Sequence, residues 1–592
     1  MRRPGRVAAS AALLEGHLAA RQRVPVASDL PLRLGLIALV GVAACWSQPS
    51  TLGLPCASAS ECDADQVCLD GTCSAAASDA STDAASAGAT AGGETTTTTP
   101  TTTTTEGSGS GGEDASGTTT PATATTSDGS GDSETLEPTT GAAECPNAPD
   151  CVPAIDWAVA LGDGVVSVRG LAVDSAGATV IAGNFSGALA VGGFSFPAAP
   201  NQRLFVIKFA PNGEALWAKV FGDSAGDELR AIAIEDSDSI LVTGSFFETL
   251  ELGGQGVALA PEKADLFVGR LSPDGEQQAL VGFSNVENQY GNAIASISGG
   301  DVVVVGQYQG ATDLGGGPFA DEPSATLYNA FIARLNGDLS HNWSMGLGTP
   351  NVQELAQSVR VGTAQSIYVG GNFDGALAFP GAPLTNAGGQ DGYVARLSME
   401  GVPLWSLALA SSGGNAWVNA IELDAASNLY VVGSAEATVD VGVDVSLESV
   451  GGLDAYARAL TSGGVPKWGA TFGTESGDEF GMGVTVDLEH QHVLLSTTCA
   501  SGIDFGGGAL NVIGGTDACL ARLRATDGSY LWSDRYGGDG QPGQKTELGG
   551  PLVARDGALS FTGAFFGSAQ LGEVTLTGDG ETLRPYLAHA GL

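Results

Sequence analysis

Positive charge is what this sequence lacks most: 24 Lys and Arg stand against 66 Asp and Glu, a formal balance of −42. A surface that acidic repels phosphate backbones instead of releasing their counterions, so nucleic acid is excluded as a partner. Aromatics are sparse at 6%, whereas Gly numbers 88 in 592 residues. Apolar stripes at helical spacing are scarce, and glycine supplies turn geometries that other residues resist, so many short strands joined by tight turns are expected. Long apolar runs are missing as well. The segment LGLIALVGVAA at 34–44 falls far short of the roughly 20 residues that span a bilayer. The chain is too long for one ordinary core, which leaves several domains or one large closed architecture.

That short apolar run reads as an address. It follows Arg33 and ends in VAAC, Val42 to Cys45, which resembles the bacterial lipobox. The resemblance implies a lipoprotein signal peptide over 1–44, cleavage before Cys45 and lipid attachment there. The stretch before it is long for a signal and carries Glu15 and Asp29, as a start codon placed too early would produce. Trp46 stands where an aspartate would resemble an inner-membrane retention signal, which favours the outer membrane or cell surface. The mature protein is expected to contact the membrane through its lipid anchor only.

Cysteine is rare, nine in all, and clustered. Residues 45–74 form the expected anchor and cysteine-rich module, with Cys56, Cys62, Cys68 and Cys73 in PCASASECDADQVCLDGTC. Four cysteines allow three pairings, which the spacing leaves open. A four-thiolate zinc site is the rival, but CxxC pairs are missing and export favours disulfides, so no metal is expected. Cys145 and Cys151 suit a second local clip. Residues 75–143, rich in Thr, Ser, Gly and acid, carry too little apolar surface to offset ordering entropy and read as a disordered stalk. Its Ser/Thr density with Pro also suits O-glycosylation.

The domain expected over 144–592 repeats itself. A tryptophan opens a short strand at Trp157, Trp217, Trp343, Trp405, Trp468 and Trp532, with Ala279 taking the position in the one wide gap. That makes seven units of about sixty residues, each with four strand-like pieces separated by turn signals such as EDSDS and SPDG. The pattern predicts an all-β fold, a seven-bladed β-propeller. The third strand of the last unit, RPYLAHAGL, lacks a fourth, while IDWAVAL precedes the first unit, so an N-terminal strand is expected to close the last blade.

Two further positions align across the units. Third strands give Phe205, Phe267, Phe331, Tyr393, Tyr456, Cys519 and Tyr586; second strands give Phe185, Phe246, Tyr308, Phe373, Ala435, Cys499 and Phe565. Five units carry an aromatic pair and one a cysteine pair, which predicts that the two positions face each other and that Cys499 and Cys519 are bonded. These units resemble the SBBP family, the seven-bladed propeller repeat, through segments such as GDELRAIAIEDSDSILVTGSF and DLFVGRLSPDGE. The resemblance implies an exported or surface protein. The repeat's basic residue stands as Lys208, Arg270, Arg334, Arg396 and Arg522, with His589 in the last unit and Arg458 one position early in the fifth. Its acid stands as Asp265, Asp391, Asp454 and Asp517, and charge repeated in this way suggests interblade pairing more than a site.

Motifs that could carry chemistry are better read as structure. GDSAG at 222–226 matches a nucleophile elbow but follows a tryptophan strand and has repeat equivalents without serine at that position. His490 and His492 in EHQH, and Asp236 and Asp238 in EDSDS, lie where hairpin turns are expected and lack the remaining ligands of a metal site. RATDGSYLW at 524–532 is similar to the tryptophan motif of quinoprotein propellers, but seven units instead of eight and no adjacent cysteine pair speak against that cofactor; none is expected. Long connections should crowd one face, where recognition usually sits, and Tyr290, Trp417 and Phe480 share a repeat position near the channel mouth there. Nonrepeated polar residues on the innermost strands, which catalysis would need, are few. The expectation is a monomeric, non-catalytic surface lipoprotein binding an unknown protein or glycan at the long-loop face. The alternatives are an exported propeller hydrolase or lyase, and a structural envelope component.

Overall fold

The computed structural model describes residues 152–592, apart from 163, 223, 225, 259–262, 286, 320–325, 350–351, 364, 378, 380–382, 441–445, 513–514 and 539–547. A separate hairpin, Gln66–Leu69 with Thr72–Ala75, is also described, and its register sets Cys68 across from Cys73. Cys45, Cys56, Cys62, Cys145 and Cys151, the signal segment and the Thr/Ser-rich stretch lie outside the described residues.

Seven antiparallel sheets form the blades of the long unit, six of them four-stranded and one extended to six strands by the hairpin Val439–Asp440 with Ser446–Leu447, and the unit holds no helix among the described residues. Blade 1 comprises Val165–Val173, Thr179–Val191, Phe194–Phe209 and Ala215–Phe221 from the innermost strand outward. Blades 2 to 6 repeat that order over residues 228–283, 289–346, 354–411, 416–472 and 480–536. Blade 7 takes three strands from 548–591, and Ile155–Ala160 completes it against Arg584–Gly591, with Trp157 across from His589. Each innermost strand packs on the next, and blade 7 packs on blade 1. The ring is closed as the repeat pattern predicts.

Middle strands are buried on both faces because a neighbouring blade covers each side. Ile240–Phe246 and Asp265–Leu271 are buried throughout, so their sequences are near-continuous apolar runs instead of alternating ones. The aromatic positions align as expected, but the pairing is diagonal. Phe185 stands across from Arg203 while Phe205 stands across from Gly183, and the same offset recurs in every blade. In blade 6 the diagonal is the Cys499–Cys519 disulfide, with Cα atoms 5.9 Å apart.

The long connections inside blades differ from the expectation of a loop crown. Several fold into small hairpins, such as Thr249–Leu250 with Val257–Ala258, that wedge between the outermost strands of two blades. Apolar residues from these connections meet the preceding blade's outermost strand: Leu250 and Leu252 share a core with Phe221, and Phe505 packs on Phe472 in a tilted pair with ring centroids 4.9 Å apart. Burial of such side chains draws the loops to the perimeter, away from the channel.

Blades are stitched on the opposite face, where the short hairpins lie. The indole N–H of every outermost-strand tryptophan but Trp532 donates to a carbonyl in the next blade's last hairpin: Trp157 to Pro211 at 2.8 Å, Trp217 to Pro273 at 3.1 Å, Trp343 to Met399 at 2.7 Å, Trp405 to Ser462 at 2.9 Å and Trp468 to Ala525 at 3.0 Å. The repeated basic residue often shares that carbonyl, as Lys208 does on Pro273 and Arg334 on Met399. Its ion pair is made within its own blade, Lys208 with Asp174 at 2.7 Å, Arg270 with Glu235 at 2.8 Å and Arg334 with Asp301 at 2.7 Å. The expected interblade pairing is thus a charge-assisted hydrogen bond to backbone, with the counter-charge supplied locally.

Candidate functional site

Each innermost strand carries one β-bulge at an equivalent place, between Val168 and Gly170, Leu229 and Ala231, Gly291 and Ala293, Ala356 and Ser358, Val418 and Ala420, Gly481 and Gly483, and Gly549 and Leu552. A bulge leaves one residue unpaired and re-aims its side chain. On an innermost strand that residue sits at the sheet edge facing the channel. The seven bulges present Arg169, Arg230, Asn292, Gln357, Asn419, Met482 and, in the wider bulge of blade 7, Gly550 with Pro551. Five of the seven positions are polar and the ring is nonrepeating, whereas few such residues were expected on the innermost strands. An extra residue shifts the alternation of the strand, so a period-two reading assigns these side chains to the wrong face.

Bulge residues also link neighbouring blades around the channel. Arg230 donates to Asn292 Oδ1 at 2.8 Å, Asn292 to the Ala356 carbonyl at 3.0 Å, and Asn419 to the Gly481 carbonyl at 2.8 Å. Backbone groups freed by the bulges are met by the previous blade: Asn184 accepts from Leu229 N–H at 2.8 Å and Asn372 from Val418 N–H at 2.8 Å.

Two residues nearer the mouth lies a second ring, Ser167, Glu228, Tyr290, Leu355, Trp417, Phe480 and Leu548. Tyr290, Trp417 and Phe480 therefore do share one position, in blades 3, 5 and 6, with buried Leu355 between the first two. They do more than pad the loops. Arg230 lies 4.3 Å over the Tyr290 ring, Tyr328 meets that ring edge-on at 5.8 Å, and Trp417 donates to Gln390 at 2.7 Å. Burial holds the Tyr290 hydroxyl well above its ordinary pKa, so it is a neutral donor.

Electrostatics concentrate in blades 1 and 2. Glu228 takes Arg169 at 3.3 Å and Arg230 at 2.8 Å, two guanidinium groups on one carboxylate. Arg169 remains about a third exposed there.

Other sequence candidates have structural roles. Asp238, in a left-handed turn at φ 60°, accepts from Ser175 N–H and hydroxyl of the adjacent blade at 2.8 and 2.6 Å, which lowers its pKa. His490 bonds Asp487, the partner of buried Arg522, and His492 begins the next strand. In the GDSAG loop the Ser224 N–H is held by Asp227 at 3.3 Å. Asp391 caps the N–H groups of Ser411 and Ala387, and burial pushes Asp265 up to about 6.

No family model matches the chain and no curated protein matches it in sequence, so the likeness to the propeller repeat rests on its residues alone. Among solved structures it is similar to a protein of unknown function from Dyadobacter fermentans DSM 18053, with 12% identity and a TM-score of 0.37 over 75% of this chain and 100% of that one. BamB from Moraxella catarrhalis gives 12% and 0.32 over 74% and 100%, and a europium-containing methanol dehydrogenase 8% and 0.34 over 74% and 93%. Likenesses this distant carry no argument about what the protein does.

Proposed function

We propose that the protein is a non-catalytic surface lipoprotein that binds a protein or glycan ligand at the mouth of its propeller channel. One observation carries this reading: Arg169, Arg230, Tyr290, Trp417 and Phe480 form a nonrepeating set of charged and aromatic side chains on two rings of an otherwise repetitive, closed scaffold. Rigid scaffolds with such groups at one end suit recognition, because aromatic and arginine side chains supply most contact energy at low ordering cost. The disulfide favours an oxidising compartment, in line with the lipobox-like segment before Cys45. Glycan and peptide arrays probed with full-length protein test the proposal. Binding should fall at least tenfold in Arg230→Ala and Trp417→Ala variants that keep their melting temperature. Array ligands bound equally by both variants would move the site elsewhere.

A further inference from the structure

The third-strand position across from the outermost-strand tryptophan, or from Ala279 in blade 2, is basic in six blades: Lys208, Arg270, Arg334, Arg396, Arg522 and His589. In blade 5 it is Ala459, paired with Trp468. Arg458, one residue earlier, projects to the other face, where it is fully buried and its guanidinium nitrogens find no hydrogen-bond partner. The socket between blades 5 and 6 therefore keeps its acceptors but lacks the third-strand cation, and Lys467 of the outermost strand reaches in instead, 5.9 Å from the Tyr430 ring.

The vacancy is a cavity of about 220 Å³ lined by Asp424, Tyr430, Lys467, Gln491, Ala525 and Thr526, among others. It opens on the short-hairpin face, at the opposite end of the strands from the channel mouth. Asp424 makes no ion pair among the described residues. Its Oδ1 accepts the N–H groups of Ala426 and Asn428 at 2.9 and 2.8 Å, and its Oδ2 accepts Asn428 Nδ2 at 2.7 Å. The Tyr430 hydroxyl lies 3.1 Å from Asp424 Oδ2 and 3.3 Å from the Ala525 carbonyl, one proton for two acceptors. Lys467 reaches that carbonyl from the rim at 3.4 Å.

Blade 4 shows what such a socket holds. There Arg396 lies 5.4 Å from the ring of Tyr368, the counterpart of Tyr430, and donates to the Ser462 carbonyl, the counterpart of Ala525, at 2.9 Å. We infer that the socket between blades 5 and 6 binds an arginine side chain presented by a partner protein, its guanidinium lying on Tyr430 and donating to Asp424 and the Ala525 carbonyl. A planar, always-charged fork suits a carboxylate, a carbonyl and an aromatic face together better than a compact ammonium does.

The probe is N-acetyl-arginine amide titrated into the full-length protein by calorimetry, beside the lysine and citrulline analogues. Saturable binding of the arginine compound is expected at millimolar concentration, with citrulline and lysine each at least tenfold weaker. Ala459→Arg, which restores the side chain found in the other blades, should abolish binding. Asp424→Asn keeps the turn's two backbone hydrogen bonds on its one oxygen and should weaken binding tenfold or more, which covers the case in which Ala459→Arg fails to fold. Lys467→Ala should tighten binding by removing a competing cation. Lack of saturation, equal binding of lysine, or binding unchanged in Asp424→Asn overturns the inference. Arg230→Ala, at the far face, should leave this binding untouched, so the two sites fail independently.

Discussion

Cys519 stands directly across from Thr497, and its disulfide partner Cys499 lies two residues further along the same strand, across from Asp517. In the six other blades the residue at the Thr497 position is glycine: Gly183, Gly244, Gly306, Gly371, Gly433 and Gly563. At Gly306, Gly371, Gly433 and Gly563 a Cβ would meet a ring carbon of the third-strand aromatic at 2.5 to 2.9 Å. At five of these glycines, Gly183, Gly244, Gly306, Gly371 and Gly433, the Cβ would also meet an innermost-strand carbonyl oxygen at 1.7 to 2.0 Å, so glycine answers both that backbone and the ring, and blade 6, with cysteine in place of the ring, carries threonine. Cys499→Phe with Cys519→Tyr should therefore destabilise blade 6 by more than loss of the disulfide does, and Thr497→Gly added to them should recover most of the deficit. Removing the disulfide by Cys499→Ala with Cys519→Ala should cost about 2 to 4 kcal/mol, read from urea midpoints.

Trp532 is the one outermost-strand tryptophan whose indole N–H is buried and unbonded. Its siblings use a hairpin of the next blade, but in blade 7 the third and fourth strands, Arg584–Gly591 and Ile155–Ala160, belong to distant parts of the chain, so that hairpin does not exist. Trp→Phe at 217, 343, 405 or 468 should each lower stability by about 1 kcal/mol beyond the change in packing, the usual net worth of such a bond. Trp532→Phe should cost less than any of them. Equal losses across the series would mean that packing alone holds the blades.

Repeat number, strand order, closure and the disulfide were legible because they rest on side chains that recur with a fixed period. The channel ring was not. Arg169, Arg230 and Asn292 occupy bulges, and nothing in a strand's composition marks where the extra residue falls, so alternation alone sends them to a blade interface. Tyr290, Trp417 and Phe480 were found because they align across repeats, yet their partners Tyr328 and Gln390 come from other strands and could not be. The Ala459 socket was half visible as an arginine out of step. That Arg458 turns away and leaves a cavity follows only from packing.

His492 is 5% exposed, and burial, reinforced by Arg522, lowers its pKa from 6.5 to about 4. Asp487 acts the other way, while His490 and Arg524 add to the lowering. The folded state holds the imidazole neutral, whereas the unfolded chain binds a proton from about pH 6.5. Stability from this residue is thus complete above pH 6.5 and is lost as pH falls toward 4, by about 2 to 3 kcal/mol. His492→Leu should flatten that part of the profile, because the Nδ1 atom it removes has no hydrogen bond. Urea midpoints at pH 7 and pH 4.5 for both proteins give the comparison, and parallel profiles would count against a neutral buried histidine.

Asp265 shifts in the opposite sense. Burial raises it from 3.8 to about 6, opposed by the Asn285 N–H and the Ser284 hydroxyl. An acid whose folded pKa is raised is protonated more readily in the fold, so its contribution is most favourable below pH 3.8 and declines as pH rises through 6. Above that pH the fold carries an ionised carboxylate that is fully buried and whose oxygens have no partner in hydrogen-bonding geometry among the described residues, and a neutral amide of the same shape avoids the cost. Asp265→Asn should therefore raise the urea midpoint at pH 8 by an amount worth about 1 to 3 kcal/mol and leave it unchanged at pH 4. A variant less stable than the parent at pH 8 would show that desolvation of the carboxylate is not the dominant cost at this position.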